Sequence, residues 1–153
     1  DEPDRTVLLW TDPTDGDATG DVDRLNTRAR LERFIQDFRA EEGDGISAEL
    51  VEVAGEAYHR MRLADAAEFL SKKDYTTNWS SEMHERFCFW SFSDWQTALN
   101  SAGFVVDEAS YAFCNEWIRE NRWEDQTAIY TEAATGLEPV DFPVTAMVLI
   151  GRK

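Results

Sequence analysis

Phe92 to Val106 reads F-S-D-W-Q-T-A-L-N-S-A-G-F-V-V. Trp95, Ala98, Leu99 and Ala102 recur at helical spacing, and Ser93 or Asp94 stands before them as a residue able to cap a helix. Gly103 supplies the left-handed conformation on which helices commonly stop. Phe104 to Val106 then starts a strand, which Tyr111 to Phe113 extends beyond a break. A helix that ends on glycine and turns at once into a strand implies an α/β fold. Val144 to Gly151, V-T-A-M-V-L-I-G, is the strongest strand of the chain, and Thr6 to Trp10, T-V-L-L-W, is a short continuous apolar run of the kind a buried strand shows.

Between these segments the order stays α/β. Asp23 can cap a helix running to about Ala40, with Leu31, Phe34, Ile35 and Phe38 on one face and Gly43 and Gly45 ending it. Ile46 to Val53 alternates as a strand does, Tyr58 to Leu63 is a weaker strand, and Asp65 to Lys72 is a helix with Ala66, Ala67, Phe69 and Leu70 inward. Asn115 to Trp123 reads as a short helix, Ile129 and Tyr130 as part of a strand, and Leu137 to Pro143 as a proline-punctuated loop. No linker or internal repeat divides the chain, so residues 1–153 are expected to form one domain.

Composition narrows the partners. The 153 residues hold 31 acids and 15 bases, a net charge of -16, and only three lysines, Lys72, Lys73 and Lys153. Such a chain is repelled by nucleic-acid backbone and by anionic lipid, so neither is expected as a partner. Acid excess with few lysines suits high intracellular salt, which screens self-repulsion; a salt-adapted, haloarchaeal source is the expectation, with an acidic surface for a basic partner as the alternative. Cys88 and Cys114 are too few for a disulfide framework and lack zinc-site spacing, so they read as buried free thiols in a reducing cytoplasm. No apolar run approaches membrane-spanning length and no signal peptide is visible. The chain opens D-E-P-D without an initiator methionine, which suggests a piece of a longer protein. Asp12, Asp15, Asp17, Asp21 and Asp23 crowd one loop, but without the spacing of a calcium hand, and a solvated acidic loop is the expectation.

Chemistry concentrates in Asp74 to Trp95, D-Y-T-T-N-W-S-S-E-M-H-E-R-F-C-F-W-S-F-S-D-W, where seven aromatics surround Glu82, Met83, His84, Glu85 and Arg86. Aromatic walls with a few polar groups are the general make-up of a pocket. His84 is the candidate general base, with Glu82 or Glu85 to hold its tautomer. On a helix Glu82 and Glu85 share a face while His84 points about 100 degrees away from Glu85, which leaves a hydrogen-bonded structural knot as the competing reading. E-x-H-E does not supply a metal pattern, and no metal is expected. Tyr75, Asn78 and Trp79 stand beside the knot; Trp79 is the tryptophan that packing explains least. Asn115, Trp117, Asn121 and Arg122 form a second polar and aromatic group, in which the asparagines bind hydroxyls or cap a helix and Arg122 clamps an anion or pairs with Glu116 or Glu120. His59 stands alone on a strand, a more common place for a structural histidine than for a catalytic one.

Phe92, Trp95, Leu99, Ala102, Gly103 and Phe104 spell F-x-x-W-x-x-x-L-x-x-A-G-F, followed by V-V and, at the end, T-A-M-V-L-I-G-R-K. This resembles the last part of class I S-adenosylmethionine-dependent methyltransferases, where a helix ends in A-G-F, a strand follows and a final strand returns antiparallel to close a mixed sheet. T-V-L-L-W-T-D is similar to the family's fifth strand with its terminal aspartate, here Asp12, which would be at most peripheral to the cofactor. K-D-Y-T-T-N-W-S-S-E-M-H-E-R-F-C-F-W-S-F-S-D-W with N-E-W-I-R-E-N-R-W resembles a prokaryotic, uncharacterised branch in which a long insert, here roughly residues 14–91, precedes the closing helix. The family's glycine-rich turn and the acidic residue that holds the cofactor ribose have no counterpart, since the single G-x-G, Gly43 to Gly45, follows a helix. The resemblance therefore implies a C-terminal half: S-adenosylmethionine is expected in the full-length protein and no cofactor in this fragment alone, with an upstream cofactor-binding domain as partner. It also implies a small-molecule acceptor, bound by Tyr75, Asn78, Trp79, Asn115, Trp117 and Arg122 and deprotonated by His84 with Glu82 and Glu85. A non-catalytic α/β binding or interaction domain with a methyltransferase-like sheet is the alternative, and oligomeric state is left open.

Overall fold

The apolar run at the start folds as β1, Thr6–Thr11, in the middle of a five-stranded sheet. The computed structural model describes residues 3–87 and 90–153. On one side β1 pairs with β3, Glu56–Arg62, which forms a hairpin with β2, Glu49–Val53. On the other it pairs with β6, Thr127–Ala133, which forms a hairpin with β7, Gly136–Val140. The order is β2-β3-β1-β6-β7, and every neighbouring pair is antiparallel, so the main sheet is not the mixed sheet expected from sequence. The tight β2–β3 turn explains part of this: Ala54 and Gly55 both hold positive φ, 52° and 83°, the backbone that matches the twist of a two-residue hairpin. Proline-punctuated 137–140 is a strand rather than a loop because β7 lies at the sheet edge, where Pro139 can lack an N–H without breaking the sheet. The sheet draws strands from within residues 14–91 and from both sides of it.

Two helices cover one face. α1, Thr27–Asp37, begins three residues later than expected from Asp23, because Val22–Arg24 takes a single 3-10 turn and Asn26 is the cap, its side chain accepting from the Ala29 N–H at 2.8 Å. α2, Leu63–Lys72, follows β3 directly. Val7 and Leu9 alternate onto this face with Met61 and Ile129 from the flanking strands, and they pack with Leu31, Phe34, Phe38, Phe69 and Leu70. Phe34 stacks on Phe38 at 4.8 Å between ring centres and tilts against Phe69 at 5.5 Å. Each such side chain, moved fully out of water, contributes about 1.5–3 kcal/mol, so this layer carries the fold. The other face holds Tyr58 edge-on to Tyr130, and Arg60 bridging Glu49 and Glu132 across the sheet.

A short α3, Trp79–Glu82, leads to α4, Phe92–Ser101. Ser91, not Ser93 or Asp94, caps α4: its hydroxyl accepts from the Asp94 N–H while the Asp94 carboxylate accepts from the Ser91 N–H, a reciprocal box. Gly103 ends it at φ 84°. β4, Val105–Val106, and β5, Tyr111–Phe113, then run antiparallel to the returning β8, Ala146–Val148, and β9, Gly151–Arg152. The strong 144–151 strand is thus split in two, because Asp107 to Ser110 bulges and Ile150 bonds to it instead, donating its N–H to Ser110 Oγ and accepting from the Asp107 N–H. This ribbon is separate from the main sheet, and β1 does not lie beside its returning strand. Within 90–122 and 144–153 no side chain is buried, and Val105, Tyr111 and Val148 are 71%, 54% and 37% exposed. α5, Glu116–Ile118, runs into a π turn at Arg119–Trp123 that brings Trp123 back into the core.

Candidate functional site

The polar knot is held by its backbone. Lys72 on α2, completely buried, pairs with buried Glu68 at 3.2 Å, donates to the Glu82 carbonyl at 2.7 Å and donates to the Glu85 carbonyl as well. Glu68 accepts the Phe87 N–H on both oxygens, at 2.8 and 3.0 Å. Arg39, at the end of α1, donates its own N–H to the Met83 carbonyl and Nη1 to the His84 carbonyl, both at 2.8 Å. Arg86 donates to the Asp44 carbonyl and lies 3.6 Å from buried Asp65, which Arg62 grips with two hydrogen bonds. The Lys72 ammonium also sits over the Phe87 and Phe38 rings, at 4.1 and 5.1 Å. Buried charges strap residues 82–87 to the two helices.

The side chains of that strap diverge. His84 faces outward, about half exposed, with Nδ1 2.7 Å from Glu42 Oε1, so Glu42 orients it rather than Glu82 or Glu85. A carboxylate only accepts, so Nδ1 carries the proton and Nε2 is directed away from the pair. The same hydrogen bond holds the Glu42 carboxyl below its ordinary value. Glu82 accepts from Asn78 Nδ2 at 3.2 Å, and Glu85 is exposed. Trp79 belongs to the core: its ring is edge-on to Phe34 and its indole N–H donates to Asp37 Oδ2 at 2.9 Å, so packing does explain it. Tyr75 is half-buried where the chain leaves α2.

The second group lies elsewhere, on α5 and the π turn. Asn115 caps α5, accepting from the Ile118 N–H at 3.1 Å, and Asn121 donates to the Trp117 carbonyl. Trp117 is exposed, with the Arg122 guanidinium 6.0 Å from its ring centre. Below this turn a part-open cavity of about 480 Å³ is lined by Cys114, Glu116, Arg119, Glu124, Asp141 and Phe142, of which the sequence marked only Cys114, as a thiol, and Glu116, as an ion-pair partner for Arg122, and none as a site residue. The only available signal was the density of charge in E-W-I-R-E-N-R-W-E. Arg119 pairs with Glu120 and Glu124, while Glu116 and Asp141 have no side-chain partner among the described residues. Cys114 is half-buried, which pushes its thiol above the ordinary value; Cys88 lies outside the described residues.

A smaller cavity of about 150 Å³ opens where β1 ends and α1 begins, with Asp15, Thr27, Arg30, Lys73, Asp74 and Gln126 in its wall. Asp15 accepts both the N–H and the hydroxyl of Thr27. Asp12 is nearby but turned inward on its own loop, accepting from Thr14.

Among the described residues, the loop after β1 is where a nucleotide-type cofactor would need a glycine turn. Gly16, one of two glycines there, is packed with a β-carbon position 2.7 Å from the Arg24 carbonyl oxygen and 2.8 Å from the Asn26 nitrogen and frames no space for a ligand, whereas at Gly20 a β-carbon would meet nothing within 4 Å. Among the described residues, no three His, Cys, Asp or Glu side chains are grouped to hold a metal ion, and no helix is long and apolar enough to cross a membrane. The fold and these cavities define a two-layer α/β protein with an attached ribbon. Comparison with family models, curated proteins and solved structures returned no match.

Proposed function

We propose that this chain is the C-terminal, acceptor-binding region of an S-adenosylmethionine-dependent methyltransferase, incapable of transfer alone and completed by an upstream cofactor-binding domain. The observation that carries the reading is the ribbon with α4: a helix, a strand and a returning antiparallel strand that bury no side chain. A two-stranded ribbon is not stable by itself in water, and free edges beside exposed Trp95, Val105, Tyr111 and Val148 are satisfied when another sheet lies alongside. A small-molecule acceptor fits the 480 Å³ cavity next to Trp117 and Arg122 better than the diverging His84, Glu82 and Glu85. The charge favours a salt-rich cytoplasm, without nucleic-acid or membrane partners.

A second reading, a non-catalytic binding domain, draws on one observation: β1 is committed to its own antiparallel sheet instead of standing beside the returning strand. Calorimetry with S-adenosylmethionine separates the two. No heat is expected from the chain alone and saturable binding from the full-length gene product. Binding by the chain alone, or none by the full-length protein, would overturn the proposal. In the full-length protein, His84→Ala that left turnover unchanged would remove His84 from the chemistry.

A further inference from the structure

Lys72 and Lys73 are adjacent and both buried to within 1%. Their surroundings differ by one acceptor. Lys72 Nζ meets Glu68, the Glu82 carbonyl and the Glu85 carbonyl, a partner for each of the three N–H bonds of an ammonium group. Lys73 Nζ meets two, Asp74 Oδ1 at 2.8 Å and Gln126 Oε1 at 2.6 Å. The two N–H bonds of a neutral amine satisfy these and leave the nitrogen lone pair on its remaining side. Lys73, Asp74 and Gln126, the amine and both of its partners, are all lining residues of the 150 Å³ cavity. Burial pulls the Lys73 amine below the ordinary lysine value and Arg30 adds to this, against the opposing pull of Asp74 and Asp15.

Arg30 completes the arrangement. Its Nη1 donates to the Lys73 carbonyl at 2.6 Å and Nη2 to the Val22 carbonyl at 2.7 Å, while its Nε is buried without a hydrogen-bond partner. An unpaired buried N–H costs about 1–3 kcal/mol, which a bound acceptor recovers. The volume holds about five water-sized groups at ~30 Å³ each.

We propose that this cavity is a carbonyl site in which Lys73 forms an imine with a small oxo acid whose carboxylate is received by Arg30. The Lys73 lone pair attacks the carbonyl carbon and the C–N bond forms. Both amine hydrogens pass to the former carbonyl oxygen, by way of Asp74, and that oxygen leaves as water. The step needs neither oxidant nor reductant, and it is independent of the methyltransferase reading.

Glyoxylate with cyanoborohydride, which traps imines, tests it on the intact chain by peptide mass spectrometry. Lys73 is expected to be labelled at least tenfold faster than exposed Lys153 at pH 7, with Lys72 unlabelled. The other charged groups facing the cavity are Asp15, Asp23, Asp74, Arg24 and Arg30. Labelling of Lys73 is expected to reach its plateau at a lower pH than that of an ordinary exposed lysine, in line with the lowered value of its amine. Propanal, which lacks the carboxylate, should label Lys73 several-fold more slowly, and Lys73→Met should abolish the rapid phase. Label on Lys153 as fast as on Lys73, or equal label on Lys72 and Lys73, overturns the site. Equal rates with glyoxylate and propanal overturn the role of Arg30.

Discussion

His59 shows what a lone residue on a strand does. It stands opposite Leu9 on the helix face, 5% exposed, and burial together with Arg28 depresses its imidazole below the ordinary 6.5. Above pH 6.5 both folded and unfolded histidine are neutral and the group has no effect on stability. As pH falls through 6.5 the unfolded chain takes a proton that the folded chain refuses, so stability drops, by at most about 1.4 kcal/mol per pH unit. Urea unfolding of the wild type and of His59→Gln should therefore show the wild type losing more stability between pH 7.5 and 5.5; a constant difference would place no titration at His59. Its structural role was legible from sequence, as was the capping role of Asn115. The strap was not, since Lys72, Arg39 and Arg86 bind main-chain carbonyls, and a carbonyl has no signature in residue type.

At the scale of elements, apolar periodicity located α2 and β1 to within a residue or two, because each has a buried face that dictates its pattern. It failed where polar contacts set the boundary: Asn26 starts α1, and the Ser110 hydroxyl interrupts the last strand. β7 escaped because an edge strand tolerates the proline that argues against a central one. The capping box of α4 gives a direct test. Ser91→Ala removes it from a helix with no buried residue to compensate, at a cost of about 1 kcal/mol. Amide exchange in the first turns of α4 should speed up about fivefold while β1 and α2 amides stay protected. If α4 exchange is unchanged, packing against something else holds the helix.

For the whole molecule, charge is the governing quantity. With 31 acids against 15 bases, compaction brings like charges together, and salt relieves that repulsion. The thermal midpoint should rise from low salt to molar KCl, by more than the surface pairs such as Arg24–Asp17 lose to screening; a flat or falling midpoint would count against salt adaptation. Fold class was readable at this scale, but the pairing of the strands was not, since alternation says which face a residue takes and nothing of its neighbour. The two edges of the main sheet are both unreceptive: β7 carries Pro139, and β2 carries the exposed charges of Glu49 and Glu52. Among the described residues, strand addition is thereby favoured at the ribbon. Were the ribbon covered, the described residues would offer no other receptive edge from which a fibre could grow, so a contact there would also protect the chain from amyloid-like stacking.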